Sequence, residues 1–232
     1  MRLTRTITKM NWRHAIGEVL LIVIGISIAL GANSWYEDRK ERAEERAVLI
    51  QIVESLNVDL QTFQDAQRNH LVQESDIIRL IEHMEGDAPY QADLGPLFRS
   101  LRRWIGIETS TAPYEALKSR GFALIGDQDL RSKIIYYYEN EVRSVLGAAE
   151  NDRAFVVSQL APFIDRNLHA LNSLVFVPLD YEVLRRDNYF RSLCMTKLTR
   201  LQNRILENYQ RTNNMIRDLI ADIEIELGES VT

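Results

Sequence analysis

Little in this sequence can cross-link, cradle a phosphate or break a helix. It holds one cysteine, Cys194, so no intrachain disulfide can form, and a lone thiol reads as a small buried hydrophobe or an intermolecular bridge. Ten glycines and five prolines in 232 residues leave few turns. Alternating β-branched runs are scarce as well, which points away from sheets and toward an all-α chain. There is no glycine-rich phosphate loop, no H-E-x-x-H and no nucleophile elbow around Ser110, Thr111, Ser119 or Ser158. Histidines 14, 70, 83 and 169 are scattered, whereas a metal centre needs three or four convergent ligands. No catalytic, cofactor or metal residue is assigned, and the chain reads as a non-enzyme. The 28 lysines and arginines lie interspersed with 33 acids for a net charge of −5, so no basic face offers itself to nucleic acid.

What the chain does have is one long apolar run. Residues 19–32 carry no charge, and Ser27 is their sole hydroxyl. With its edges the segment extends over residues 15–36, and crossing ~30 Å of hydrocarbon takes ~20 residues at ~1.5 Å each. It is expected to be a single transmembrane helix. Trp35 and Tyr36 suit the headgroup level at one edge, and Trp12 does the same at the other. Glu18 is the flaw, since a carboxylate at the centre of a span costs ~2.5–3.5 kcal/mol on insertion scales. Two readings stand. Glu18 snorkels toward Arg13 or His14, or it faces other copies of the helix as a polar lock or proton acceptor. Gly25-x-x-x-Ala29 has the small-residue spacing that lets two helices approach closely. A cleaved signal peptide is the rival, with Ala29-Leu30-Gly31 as its site. Glu18 inside the run, and the helix-forming residues beyond it, speak against cleavage.

Orientation follows lysine and arginine counts. Arg2, Arg5, Lys9 and Arg13 precede the span and Arg39, Lys40, Arg42 and Arg46 follow it, a tie. A short amino tail and a large following domain favour the amino end in the cytoplasm and the body in the periplasm of a bacterial inner membrane. The basic tail suits anionic lipid headgroups. The expected organisation is a cytoplasmic tail over 1–14, the span over 15–36, an extracytoplasmic helical domain over 37–228 and a frayed tail over 229–232.

No glycine or proline interrupts the chain from Tyr36 to Gly86, so the membrane helix is expected to continue into the first body helix. Val48, Ile52, Leu56, Leu60 and Phe63 form its apolar stripe, then Ile77, Leu80, Ile81 and Met84. A short helix is expected over 97–107. Its Arg99, Arg102 and Arg103, beside Trp104, read as a solvated face rather than an anion site. A helix starting near Pro113 ends at Gly121, and Asp127 caps the next, which runs for about forty residues at the helical spacing, kinked at Pro162. Val175, Phe176 and Val177 are β-prone but have no obvious partner, so residues 169–180 are expected to be an apolar loop. The last helix, capped by Asp187 or Asn188, carries Phe190, Leu193, Lys197, Leu201, Ile205, Asn208, Thr212, Ile216, Leu219 and Ile223 on its stripe. The polar members push the contact face toward Leu198, Tyr209 and Met215. Burying these stripes requires an antiparallel helical bundle. Of Tyr136, Tyr137 and Tyr138, one or two pack in the core and one faces outward. The alternative is a ligand-facing site of Arg131, Tyr137 and Tyr138.

The block AIGEVLLIVIGISIALGANSWYEDRKER, with its A-I-G-E start, apolar run and N-x-W, resembles the opening of a bacterial family of single-span membrane proteins that carries a domain-of-unknown-function label. YEALKSRGFALIGDQDLRSKIIYYYEN is similar to that family's second block. Glu18, Asn33, Trp35, Tyr114, Leu117, Gly121, Leu130, Arg131, Tyr137 and Tyr138 match its pattern. The resemblance implies a membrane anchor and a helical body, and no activity. The expected function is a membrane-anchored interaction or scaffold protein. Its partners are membrane lipids and further copies or another membrane protein, and its interface residues are Glu18, Gly25, Ala29 and Trp35. An extracytoplasmic ligand-sensing module, or a channel or transport accessory subunit using Glu18, are the alternatives.

Overall fold

The computed structural model describes residues 12–86 and 88–228, with the side chains at 12–15 and 17 also outside the described residues. Residues 1–11 of the expected 1–14 tail, the expected tail over 229–232, and the side chains of Trp12, Arg13 and His14 fall outside it. The chain is all-α apart from one small hairpin, and it divides into two units, Met1–Ala47 and Val48–Thr232.

Helix α1 spans Trp12–Glu85. Helix formers without glycine or proline carry it past the apolar run, and Gly86 closes it by donating its N–H to the Glu82 carbonyl. In the first unit the described apolar side chains of residues 19–30 are exposed. Val19 is 60 % exposed and Leu21 is 73 % exposed. The stretch is long and apolar enough to cross a membrane, and none of its apolar window is buried.

The second unit is a bundle of three long helical runs. The first is α1 from Val48 onward. The second joins α4 (Gln128–Tyr136), α5 (Val142–Phe155) and α6 (Ala161–Asn167) through π-helical turns at Tyr137–Glu141 and Val156–Leu160. The third joins α8 (Asn188–Arg200) and α9 (Glu207–Glu226) through a π-helical turn at Leu201–Leu206. Cross-links give the direction of the third run. Lys133 meets Asp222 and Lys197 meets Asp152, while Gln202 meets Glu74 and Asn213 meets Gln67. The third run is therefore antiparallel to the other two, as burial of three apolar stripes demands.

Caps explain some of the boundaries. Asp127 accepts from the Leu130 N–H at 2.8 Å, and Asp187 accepts from Tyr189 and Phe190. Gly121 ends α3 (Ala112–Arg120) with φ of 103°, where a side chain would be strained. At Pro162 the helix widens instead of simply kinking. The Ala161 N–H reaches the Val156 carbonyl five residues back, and a wide turn relieves the clash a proline ring makes with the preceding turn.

Three expectations change. Helix α2 (Gly95–Arg102) stops before Ile107, because Arg103 is extended (ψ 137°). The side-chain amide of Gln73 takes the Ser100 and Arg103 carbonyls, which would otherwise accept bonds within a continuing helix. Residues 169–180 are not a plain loop. Strand β1 (Leu168–Ala170) pairs antiparallel with β2 (Phe176–Pro178), with His169 opposite Val177. Pro178 sits at the strand end, where a missing N–H costs little. In the last run Lys197 and Thr212 are buried rather than avoided, along with Tyr209, whereas Leu198 and Met215 are half-buried. The π turn at Leu201–Leu206 inserts an extra residue, so the core face steps from Ile205 to Tyr209 and then to Thr212, Asn213 and Ile216.

The hairpin is pressed onto α2 at Gly95. A Cβ there would lie 2.7 Å from Val175 Cγ1 and 3.3 Å from the Phe176 carbonyl oxygen, so only glycine fits without movement.

Candidate functional site

In the first unit, Glu18, Gly25, Ala29 and Trp35 lie on α1, all exposed. At ~100° per residue, Glu18, Gly25 and Ala29 fall within ~40° of one line along the helix, and Trp35 lies ~100° away from Glu18. The helix thus joins the first three on one face and leaves Trp35 off it. Trp35 instead stacks under Arg39, whose guanidinium carbon is 5.6 Å from the ring centre. Glu18 has no hydrogen bond or ion pair among the described residues.

The tyrosine run divides. Tyr137 and Tyr138 are buried and Tyr136 is half exposed. Tyr137 donates its hydroxyl to Asp59 Oδ2 at 2.8 Å, and the Tyr138 hydroxyl lies 2.6 Å from Ser55 Oγ. Tyr114 stacks on Tyr138 with ring centres 4.5 Å apart, and donates its hydroxyl to Glu139. Arg131 points elsewhere, donating to the Ile125 carbonyl. The structure does not bring Arg131 together with Tyr137 and Tyr138. Tyr136 lines a groove of about 920 Å³ with Lys133, Arg211, Met215, Asp218 and Asp222. Burial pushes the Asp59 carboxyl above its usual range, against the pull of the Ser110 N–H and the Tyr137 hydroxyl.

A second polar centre lies deeper along α1, and sequence reasoning missed it. Lys197 Nζ stands 2.6 Å from both carboxylate oxygens of Asp152 and 3.2 Å from the Arg103 carbonyl. His70 stacks on Tyr209, with ring centres 5.6 Å apart. Gln73 joins through the Arg103 carbonyl. All five side chains are between 0 and 2 % exposed. Burial pushes the His70 imidazole down to about 3, helped by the charge of Lys197. It also pushes Lys197 down, while Asp152 pushes it back up. His70 is therefore neutral at physiological pH. Gln73 Oε1 and the Tyr209 hydroxyl have no protein partner among the described residues.

The signal for this centre was present in the sequence. Leu49, Ile52, Leu56, Asp59, Phe63, Ala66, His70, Gln73, Ile77, Leu80 and Met84 are spaced alternately by three and four, and all are buried. Asp59, His70 and Gln73 are the polar members of an otherwise apolar heptad seam. Lys197 held the matching place on the last helix.

The chain matches no protein-family model, no curated protein and no solved structure. Its chemistry has to be read from this geometry. The Lys197 centre is sealed from solvent, so no substrate meets its amine, and its groups act on packing. The Asp59 centre is likewise internal and ties residues 110 and 137 to α1. Groups that face the outside are the span face of Glu18, the groove at Tyr136 and the arginines of α2.

Proposed function

We propose that this chain is a single-span membrane-anchored interaction scaffold that self-associates through the Glu18–Gly25–Ala29 face of α1. The carrying observation is that a long apolar helix stands with no part of its apolar window buried. Exposed apolar surface of that extent calls for lipid or protein around it. Placing Glu18 on the face of Gly25 and Ala29 gives its carboxyl a partner surface in place of hydrocarbon. The proposal puts the amino end in the cytoplasm and the helical body in the periplasm of a bacterial inner membrane, in line with the resemblance to single-span membrane proteins. Retention in the pellet after alkaline carbonate washing is expected, and release into the supernatant refutes the anchor. The detergent-corrected mass of the wild type and of Glu18→Gln tests the interface. A monomer in both refutes self-association, and an oligomer lost only in Glu18→Gln identifies Glu18 as the lock. Protease added to spheroplasts is expected to degrade the body, and full protection reverses the orientation.

A ligand-sensing reading draws on the groove at Tyr136, whose volume falls within the range of small-molecule sites. It predicts a saturable thermal stabilisation by a small molecule, lost in Tyr136→Ala. No stabilising compound in a broad screen would count against it.

A further inference from the structure

The α2 arginines look like a solvated face in the sequence, but the fold places them in a recess. Arg99 and Arg102 are one turn apart at the carboxyl end of α2 and share a face, and Arg103 follows directly in extended conformation. The hairpin borders that face, and Ser173 and Phe176 complete the walls of an open recess of about 320 Å³. The tight contact at Gly95 fixes the hairpin there.

The charges in this recess are under-compensated. Arg102 is held by a two-pronged pair with Asp165, at 2.7 and 3.2 Å, and lies over the Phe176 ring. Arg103 donates through Nη2 to the Asn69 carbonyl, while its buried Nε has no partner. Arg99 makes no ion pair among the described residues. Burial and the charge of Arg99 both push Arg103 down, and Asp76 opposes them. Asp76 itself accepts a hydrogen bond from Ser100. The Arg99 and Arg103 guanidinium groups thus repel one another beside an open recess, with the Ser173 hydroxyl, unpaired among the described residues, at its rim.

We propose that Arg99, Arg102, Arg103 and Ser173 form a binding site for a phosphate group. A phosphate ester brings up to two negative charges and three acceptor oxygens, which fits the open Arg99 guanidinium, the positive charge of its two arginine neighbours and a hydroxyl better than a single carboxylate does. Leu171 and Leu174, 62 and 51 % exposed, flank Ser173 at the hairpin tip. They offer apolar contact to whatever carries the phosphate. The group is therefore either free phosphate or the headgroup of an anionic lipid.

The test titrates the full-length protein, in a neutral detergent, with inorganic phosphate and separately with a short-chain phosphatidylglycerol, followed by calorimetry. Saturable binding of either probe is expected, weakened about tenfold in Arg99→Gln, the loss of one charge-assisted contact. Ser173→Ala, at an exposed tip, gives a smaller loss in a variant whose fold is not at risk. Binding of phosphate alone assigns the site to the free ion. Tighter binding of the lipid, with the excess lost in Leu171→Ser/Leu174→Ser, assigns it to a headgroup. The proposal is overturned if neither probe saturates in the millimolar range, if Arg99→Gln titrates like the wild type, or if sodium chloride at matched ionic strength reproduces the heat.

Discussion

Replacing Lys197 with methionine tests whether the deep polar centre is sealed. The ammonium lies at 0 % exposure and Asp152 at 2 %, so removing one partner strands a carboxylate in the core. Breaking a buried pair this way costs ~3–5 kcal/mol, mostly through the uncompensated charge. For a domain of this size, each kcal/mol moves the melting temperature by ~2–4 °C, so the expected drop is ~6–20 °C. The double variant Lys197→Met/Asp152→Leu removes the stranded charge as well. It is expected to melt within a few degrees of the wild type or above it, because apolar replacement of a whole buried pair is often neutral or stabilising. Asp152→Asn adds a pH signature. A lysine held below its unfolded pKa binds fewer protons when folded, so stability rises with pH up to the unfolded value. Without Asp152 to push Lys197 upward, that rise is steeper than in the wild type between neutral pH and about pH 10, near the unfolded lysine value. The assay is far-UV circular dichroism of the full chain in detergent, against temperature and pH. A loss under ~1 kcal/mol in Lys197→Met, the range of exposed pairs, would show that water reaches the centre and refute the reasoning.

His70 supplies a second pH test. Its folded pKa of about 3 lies below the usual 6.5, so its contribution to stability is complete above 6.5 and is lost as the pH falls toward 3. At pH 5 the loss is about 2 kcal/mol relative to neutral pH, and His70→Phe should remove that difference from the acid limb of the melting curve. Asp59, whose folded pKa is raised, works in the opposite direction and remains in both proteins. In Gly95→Ala, the added methyl meets Val175 and the Phe176 carbonyl and overpacks the hairpin contact by ~1–3 kcal/mol. Amide exchange should quicken in residues 168–178 and stay unchanged in α9, and uniform protection in the variant would contradict the contact.

Much of the helical frame is legible without coordinates because its determinants are local. Asp127 and Asp187 cap through the next few amides, Gly121 supplies a positive φ, and the glycine-free stretch from Tyr36 leaves α1 nothing to stop it. What is hidden depends on distant partners. Leu168, His169 and Ala170 carry no strand signature, and pair only because β2 returns beside them. The early end of α2 depends on Gln73, thirty residues from Arg103 in sequence. Lys197 stands on its helix stripe and looks like an interruption until Asp152, 45 residues away, arrives to hold it. The π turns are hidden for a related reason, since an added residue shifts the contact face without altering local helix preference. At the span, sequence spacing already puts Glu18 in line with Gly25 and Ala29. At the arginine recess, it shows the charges but not the hairpin that borders them.

The seam of α1 has a mechanical consequence. Sliding the helix by one heptad, ~10.5 Å at ~1.5 Å per residue, would keep apolar positions facing apolar neighbours along most of its length. It would also drive Asp59 into the slot of Ile52 or Ala66, and His70 into that of Phe63 or Ile77. Three polar rungs, Asp59, His70 and Gln73, at unequal distances along one rail act as a detent, so tension along α1 within the body must first shear the Asp59 and Gln73 hydrogen bonds before the helix can advance by a notch.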